Sequence, residues 1–307
     1  MNQTKTTAAE FRLGLFFGLA SHTLWGAMPL YIWLVKSISP VEILAHRVAW
    51  SFLVITLLVW GQRKWRAVKA ALRGKILAGL IASSVLIAVN WGIYIYAATT
   101  NQVLQASLGY FLLPLFSFFL GQVLFREKLD RVELMAIFLV ALGIAVRIAM
   151  EGKLPWIALV VALSFCLYGV LRKVLHVDAT TGLFCETLFL LPMSLGALAW
   201  WQHQGTGVFG KDPGSDFALA LSGLVTVAPL FCFVVAARIL PLTLMGFIQY
   251  ISPTMQFLLG IVLFGEEFTL GQQICFALIW TALGLFSWNT WKKRQDKRRE
   301  ELAPFPE

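Results

Sequence analysis

PLFSFFLGQVLFRE at residues 114–127 and PTMQFLLGIVLFGE at 253–266 align without a gap and are identical at 8 of 14 positions. They lie 139 residues apart in a chain of 307. A weaker echo, SHTLWG at 21–26 and SFCLYG at 164–169, is spaced by 143. The chain therefore repeats itself, and the unit is close to half its length. Two units are expected, 1–150 and 151–307, the second carrying a basic tail.

The environment of these repeats follows from composition. Hydrophobic residues make up 59% of the chain and charged residues only 13%, well outside the soluble average. Ten apolar runs, long enough to cross about 30 Å of hydrocarbon, are read at 13–35, 41–60, 76–98, 103–125, 132–149, 154–171, 182–202, 217–239, 242–264 and 270–290. Each is predicted to be a helix, which satisfies its own backbone groups in lipid. The first run imitates a signal peptide at Gly18-Leu19-Ala20 but continues to Val35, and is read as an uncleaved span. Only 203–216, rich in glycine, reads as a flexible connection.

The net charge of +9 is topological. Twenty of the 25 Lys and Arg fall on one side of the ten spans, so that side and both termini are expected in the cytoplasm. A nucleic-acid surface is not expected, because the basic residues sit in short loops. Cys166, Cys185, Cys232 and Cys275 all lie in apolar runs without ligand spacing, so neither a metal site nor a disulfide framework is expected. No cofactor is expected either.

With five spans in each unit, the second must enter the membrane upside down relative to the first. Inverted repeats of this kind build secondary transporters, with the site between them near the midplane. Trp25-Gly26 in the first span and the paired Pro…Leu-Gly…Phe-x-Glu endings of spans four and nine resemble the EamA family of the drug/metabolite transporter superfamily. EILAHRVAWS at 42–51, ASLGYFLLPL at 106–115 and GFIQYISPTMQFLLG at 246–260 resemble its RarD-type members, bacterial inner-membrane permeases linked by name to chloramphenicol sensitivity. The resemblance spans about residues 12–290. It implies a carrier rather than an enzyme and leaves the substrate open.

Candidate site residues cluster near mid-span. Pro29, Pro114, Pro192, Pro229 and Pro253 each remove a backbone hydrogen bond and free a carbonyl. Pro114 and Pro253, matched by the repeat, are expected to kink their helices at a central cavity. Gln249, Ser252 and Gln256 share one face of span nine, and Tyr110, Pro114 and Ser117 share one face of span four. Both faces are expected to point inward, the alternative role being interhelical hydrogen bonding. His22, Trp25 and Pro29 form a stripe on span one, and Asn90 pairs with Tyr94 on span three. Glu42 and Glu186 are the candidates for ion coupling, with a water-exposed helix-end carboxylate as the plainer alternative. Glu127 and Glu266 read as structural caps of the next span, and the KKRQDKRREE tail at 292–301 as an anchor beside the lipid.

Arg47 lies inside span two, where an arginine needs a partner or a water-filled cavity. Glu186 is expected at the opposite side of the membrane, and Glu42 pairs better with His46. An anionic substrate group is therefore one reading, and snorkelling to the nearby interface is the other.

All five aspartates fall outside the spans, and no HExxH, GxSxG or P-loop pattern occurs. These absences count against an intramembrane enzyme and an ATP-driven pump. The expected function is a secondary transporter working by alternating access on small amphipathic metabolites, amino acids or related compounds, with export the expected direction. A drug permease of the same fold, a channel and a lipid scramblase are the alternatives. Expected partners are the small-molecule substrate and membrane lipids; a homodimer is left open.

Overall fold

The computed structural model describes residues 8–125 and 130–302, and every regular element in them is helical. The helices are α1 (Ala8–Gly26), α2 (Met28–Leu34), α3 (Pro40–Gly61), α4 (Trp65–Ala71), α5 (Gly74–Thr99), α6 (Val103–Phe125) and α7 (Arg131–Glu151). They continue as α8 (Trp156–Leu175), α9 (Ala179–His203), α10 (Pro213–Ile239), α11 (Leu242–Ile248), α12 (Ile251–Leu258) and α13 (Leu270–Leu302). Among the described residues, nine spans are long and apolar enough to cross a membrane, counting α1 with α2 and α11 with α12 as one each. Helix α6 supplies the tenth apolar element, with its side chains described as far as Phe116. This is a ten-helix, all-α membrane protein.

Eight of the ten runs form one helix each, and the first and the ninth do not. The first breaks at Ala27, two residues before Pro29, which sits in the opening turn of α2 where its missing N–H is tolerated. The ninth breaks at Gln249 and Tyr250, with Pro253 in the first turn of α12. A π-helical turn, Leu259–Leu263, follows. Pro114 lies inside α6, which continues past it, so the matched prolines do not produce matched breaks. Helix α13 also runs on from the membrane into the basic tail.

Helix packing respects the internal repeat. Helix α3 packs on α9, α7 on α13 and α6 on α12, each pairing an element with its repeat mate. The contacts α1 with α10 and α8 with α5 exchange under the same correspondence. Leu104, Leu108, Phe111, Phe257, Phe276 and Ile279 fill the core where α6, α12 and α13 meet. Large apolar side chains such as Phe16, Leu57, Phe138 and Val262 are exposed, as a lipid-facing surface requires.

Candidate functional site

A concentration of polar chemistry inside the spans surrounds Arg47. Its side chain is only 6% exposed, so it does not snorkel to the interface. Gly223 explains its position: a Cβ there would stand 2.4 Å from the carbonyl oxygen of Trp50, so only glycine lets α10 approach α3 this closely. Thr226 stands about one turn beyond Gly223, and Arg47 about one turn before Trp50. The side chain therefore reaches inward, and its Nε donates to Thr226 Oγ1 at 2.9 Å. The guanidinium lies 4.5 Å from the Trp91 ring centroid, a cation–π contact. Tyr31, Tyr94 and Tyr110 are close enough to interact with it electrostatically. Among the described residues, no carboxylate stands within 4.0 Å of it.

Tyr110 and Asn90 belong to the same cluster. The Tyr110 hydroxyl donates to Asn90 Oδ1 at 3.4 Å, and the Asn90 amide donates to the Val161 carbonyl at 3.0 Å and Ser164 Oγ at 3.2 Å. The Tyr94 and Tyr110 ring centroids are 5.8 Å apart, and the buried Tyr94 hydroxyl has no hydrogen-bond partner. Tyr31 donates to the Ala218 carbonyl at 2.9 Å.

A second group joins the two broken spans. Pro29 cannot supply the N–H that would ordinarily reach the carbonyl of Trp25. That carbonyl accepts from Gln256 Nε2 at 3.2 Å instead. One turn away, Ser252 Oγ donates to the His22 carbonyl at 2.8 Å, and His22 Nδ1 stands 3.2 Å from the same hydroxyl. Trp25 packs edge-on against His22, with centroids 5.2 Å apart. Gln256, Ser252, His22 and Trp25 thus form an interhelical seam, and Trp25 packs on the same apolar core as Tyr31, Tyr94 and Tyr110. Gln249 joins neither group, because at the break its side chain is exposed rather than turned inward. The side chain of Ser117 lies outside the described residues.

The two carboxylates proposed for coupling are both buried, which removes the reading of a water-exposed helix end. Glu42 interacts with His46 through space but hydrogen-bonds elsewhere; its Oε1 accepts the Val208 N–H at 2.8 Å. Phe209 then stacks on the His46 ring at 5.1 Å and leans on Trp50 at 6.0 Å. The 204–212 connection is therefore a folded strap over the ends of α3 and α10, not a free loop. Gly205 and Gly210 turn it at φ of 70° and 88°, and Lys211 Nζ donates to the Gly205 carbonyl at 2.7 Å.

Glu186 is fully buried at the other end of the molecule. It accepts from Ser83 Oγ at 2.7 Å and the Tyr168 hydroxyl at 3.2 Å, and Arg172 Nη1 stands 3.6 Å away. Nearby, Lys64 Nζ meets Asp178 Oδ1 at 2.6 Å. Partial burial raises the Asp178 carboxyl, but bonds from Lys64 and Thr181 outweigh it and hold the group below the usual carboxylate range. On this face a crevice of about 90 Å³ opens between α3, α9 and α10, lined by Gln62, Thr180, Leu230 and Arg238.

Glu266 is structural in a different way from that expected. Its carboxylate accepts the N–H groups of Val103 and Leu104 and so caps α6 rather than the next helix. Glu127 lies outside the described residues. Tyr31, Trp91 and Thr226 around Arg47, and Ser83, Tyr168 and Arg172 around Glu186, were not singled out from sequence. Ser222, Gly223 and Thr226, a small and polar stripe on one face of α10, was the available signal for the first group. Among the described residues, no group of three His, Cys, Asp or Glu is placed to hold a metal ion.

Comparison with known proteins gives the same architecture a family. Residues 12–148 match the EamA-like transporter family. An uncharacterized transporter of Vibrio cholerae is 38% identical over 94% of this chain and 97% of its own length. The protein RarD of Escherichia coli is 38% identical over 91% and 95%. The chloramphenicol-sensitive protein RarD of Pseudomonas aeruginosa is 32% identical over 90% and 94%. A solved crystal structure superposes with a TM-score of 0.56 at 16% identity, covering 89% of this chain and 96% of the other, a likeness of fold. With end-to-end relatives at this level of identity, the chain belongs to the EamA-like transporter family, among its RarD-type permeases.

Proposed function

We propose that this membrane transporter is a secondary carrier that moves small amphipathic metabolites, amino acids or related compounds, outward across the bacterial inner membrane by alternating access. The basic face, which bears the crevice, is then cytoplasmic, and the strap covers the outer face. The observation that carries the reading is the crossing of the two broken spans, where Gln256 satisfies the Trp25 carbonyl across the seam. Discontinuous helices crossing between repeats are the usual frame of a carrier's binding site. Two five-helix halves, residues 1–150 and 151–307, rock against each other in this reading. Tyr110, Arg47 and Asn90 face the substrate, and the His22, Trp25 and Gln256 seam flexes. Glu42 and Glu186 lie under the two closures and are the coupling candidates. The substrate class is supported by the mainly aromatic surroundings with a few amide and hydroxyl groups.

Reconstituted into liposomes, the protein is expected to give saturable, stereospecific exchange of a labelled metabolite. Flux that rises linearly with concentration would indicate a channel, and lipid flipping without solute flux would indicate a scramblase.

A further inference from the structure

The cluster around Arg47 is rich in donors and poor in acceptors. Nε is committed to Thr226, and the Trp91 ring covers part of the guanidinium. Among the described residues that Nε bond is the one side-chain hydrogen bond of the guanidinium, and it makes no ion pair, so the terminal nitrogens, which form the fork that grips a carboxylate, are available to a ligand. The hydroxyl of Tyr94 is a second donor without a partner, on a side chain 3% exposed. A buried arginine is ordinarily matched by a carboxylate, since an isolated charge in low dielectric is strongly disfavoured. Among the described residues none pairs with it: Glu42 is held by the strap, and Glu186 stands on the opposite face with Arg172. The tyrosine hydroxyls and the Trp91 face soften the charge without neutralising it. Trp91, Tyr94, Tyr110 and Phe165 give the cluster its aromatic surface.

We propose that this cluster binds an organic anion, a carboxylate or sulfonate on a planar apolar body, with the anionic head on the Arg47 fork and Tyr94 and the body packed against the aromatic rings. The inference rests on the carrier reading and narrows its substrates to the related compounds that carry the anionic group without the amine, setting amino acids themselves aside. An organic cation would meet an uncompensated positive charge. The ammonium of an amino acid would find no carboxylate in the cluster, so the anionic group selects and a free amine is penalised.

The test uses purified full-length protein in low-chloride detergent buffer, with thermal shift read against benzoate, benzenesulfonate, benzamide, benzylamine, phenylalanine and sodium chloride. Benzoate and benzenesulfonate are expected to raise Tm saturably, and the amide, the amine and phenylalanine are not. Arg47→Gln is expected to weaken binding of the two anions about 10- to 100-fold, the loss for a charge-assisted pair. Arg47→Lys keeps the charge but loses the fork and falls between. Tyr94→Phe, nearly isosteric and certain to be informative if Arg47→Gln misfolds, weakens binding about tenfold. The proposal is overturned if benzylamine or benzamide stabilises as well as the acids, if neither acid stabilises, if both variants bind unchanged, or if chloride stabilises and the ring anions do not. Flux in liposomes separates the two levels. Anion binding without flux leaves the site standing and removes the carrier. Saturable flux of cations with no anion binding does the reverse.

Discussion

Arg47 and Glu186 are each the eighth residue of their helix, α3 and α9, which are repeat mates packed against each other. By the helical rise both lie about 10 Å from the end where their helix begins, one from each face of the molecule. Their charges are opposite and so are their circumstances. Glu186 has Arg172, Ser83 and Tyr168, whereas Arg47 has only neutral neighbours.

The first prediction concerns that contrast. Removing Arg172 leaves the Glu186 carboxylate buried without its counter-ion, a change that typically destabilises by about 3–5 kcal/mol. Arg172→Met is therefore expected to lower Tm sharply, and Glu186→Gln added to it should recover much of the loss. A double-mutant cycle in detergent checks this, and strict additivity would show that the pair is not coupled.

Gln256 and Pro29 are coupled through the Trp25 carbonyl. Gln256→Leu leaves that carbonyl unsatisfied and is expected to cost about 1–2 kcal/mol. Pro29→Ala restores an N–H to the first span. In the Gln256→Leu background it should regain stability, whereas in the wild type it should gain little. Equal effects of Pro29→Ala in both backgrounds would break the link.

Gly223→Ala places a methyl group against the backbone of Trp50, which cannot move as a side chain tip can. A loss of about 1–3 kcal/mol is expected, as for other overpacked contacts. Gly284→Ala, where a Cβ meets nothing within 4 Å, is the matched control and should change Tm little.

At the basic face, Asp130 caps α7, and its carboxylate takes Lys293 Nζ at 2.7 Å, Asn289 Nδ2 at 2.7 Å and the Glu133 N–H at 2.8 Å. Desolvation raises this carboxyl, but the bonds from Lys293, Asn289 and the Glu133 amide prevail and hold it well below the usual range. A depressed folded pKa contributes stability that is present above the unfolded value, about 3.9, and is lost as pH falls through the folded value. The Tm gap between wild type and Asp130→Asn should be constant near neutrality and narrow only below about pH 4. A gap that closes near pH 6 would point to another group.

Topology is checked by labelling. Thr206 lies in the strap and Ala67 on α4, and both are exposed, whereas Gly207 is buried and makes a poor probe. A membrane-impermeant thiol reagent applied to intact cells should modify Thr206→Cys and spare Ala67→Cys. Modification at Ala67 would invert the orientation read from the lysines and arginines.

Legibility in the sequence was uneven, for physical reasons. Periodicity, span length and the 114–127/253–266 repeat are local properties, and they announced ten helices and the family. The break before Pro29 was half visible, since proline names the missing N–H but not the side chain that replaces it. That side chain, Gln256, comes from 231 residues away. Arg47 and Tyr110 were singled out because charge and hydroxyl are conspicuous in an apolar run, and the structure places them close enough to interact. Thr226, Ser83 and Tyr168 escaped because such residues are ordinary in membrane helices until a partner is known. The strap was misjudged because glycine marks a turn without saying whether the turned segment packs. Val208 and Phe209, the two apolar residues beside those glycines, were the overlooked sign.

The strap and the Arg172–Glu186 cluster close the two ends of the molecule by unlike forces. On one side an aromatic plug is seated by a backbone amide on a carboxylate, and on the other full charges meet beside the exposed Lys64–Asp178 pair. Ionic strength screens exposed charge pairs strongly and aromatic packing hardly at all. Added salt should therefore loosen the Lys64–Asp178 contact at the basic end before the strap end, so ionic strength is expected to act on the two ends unequally.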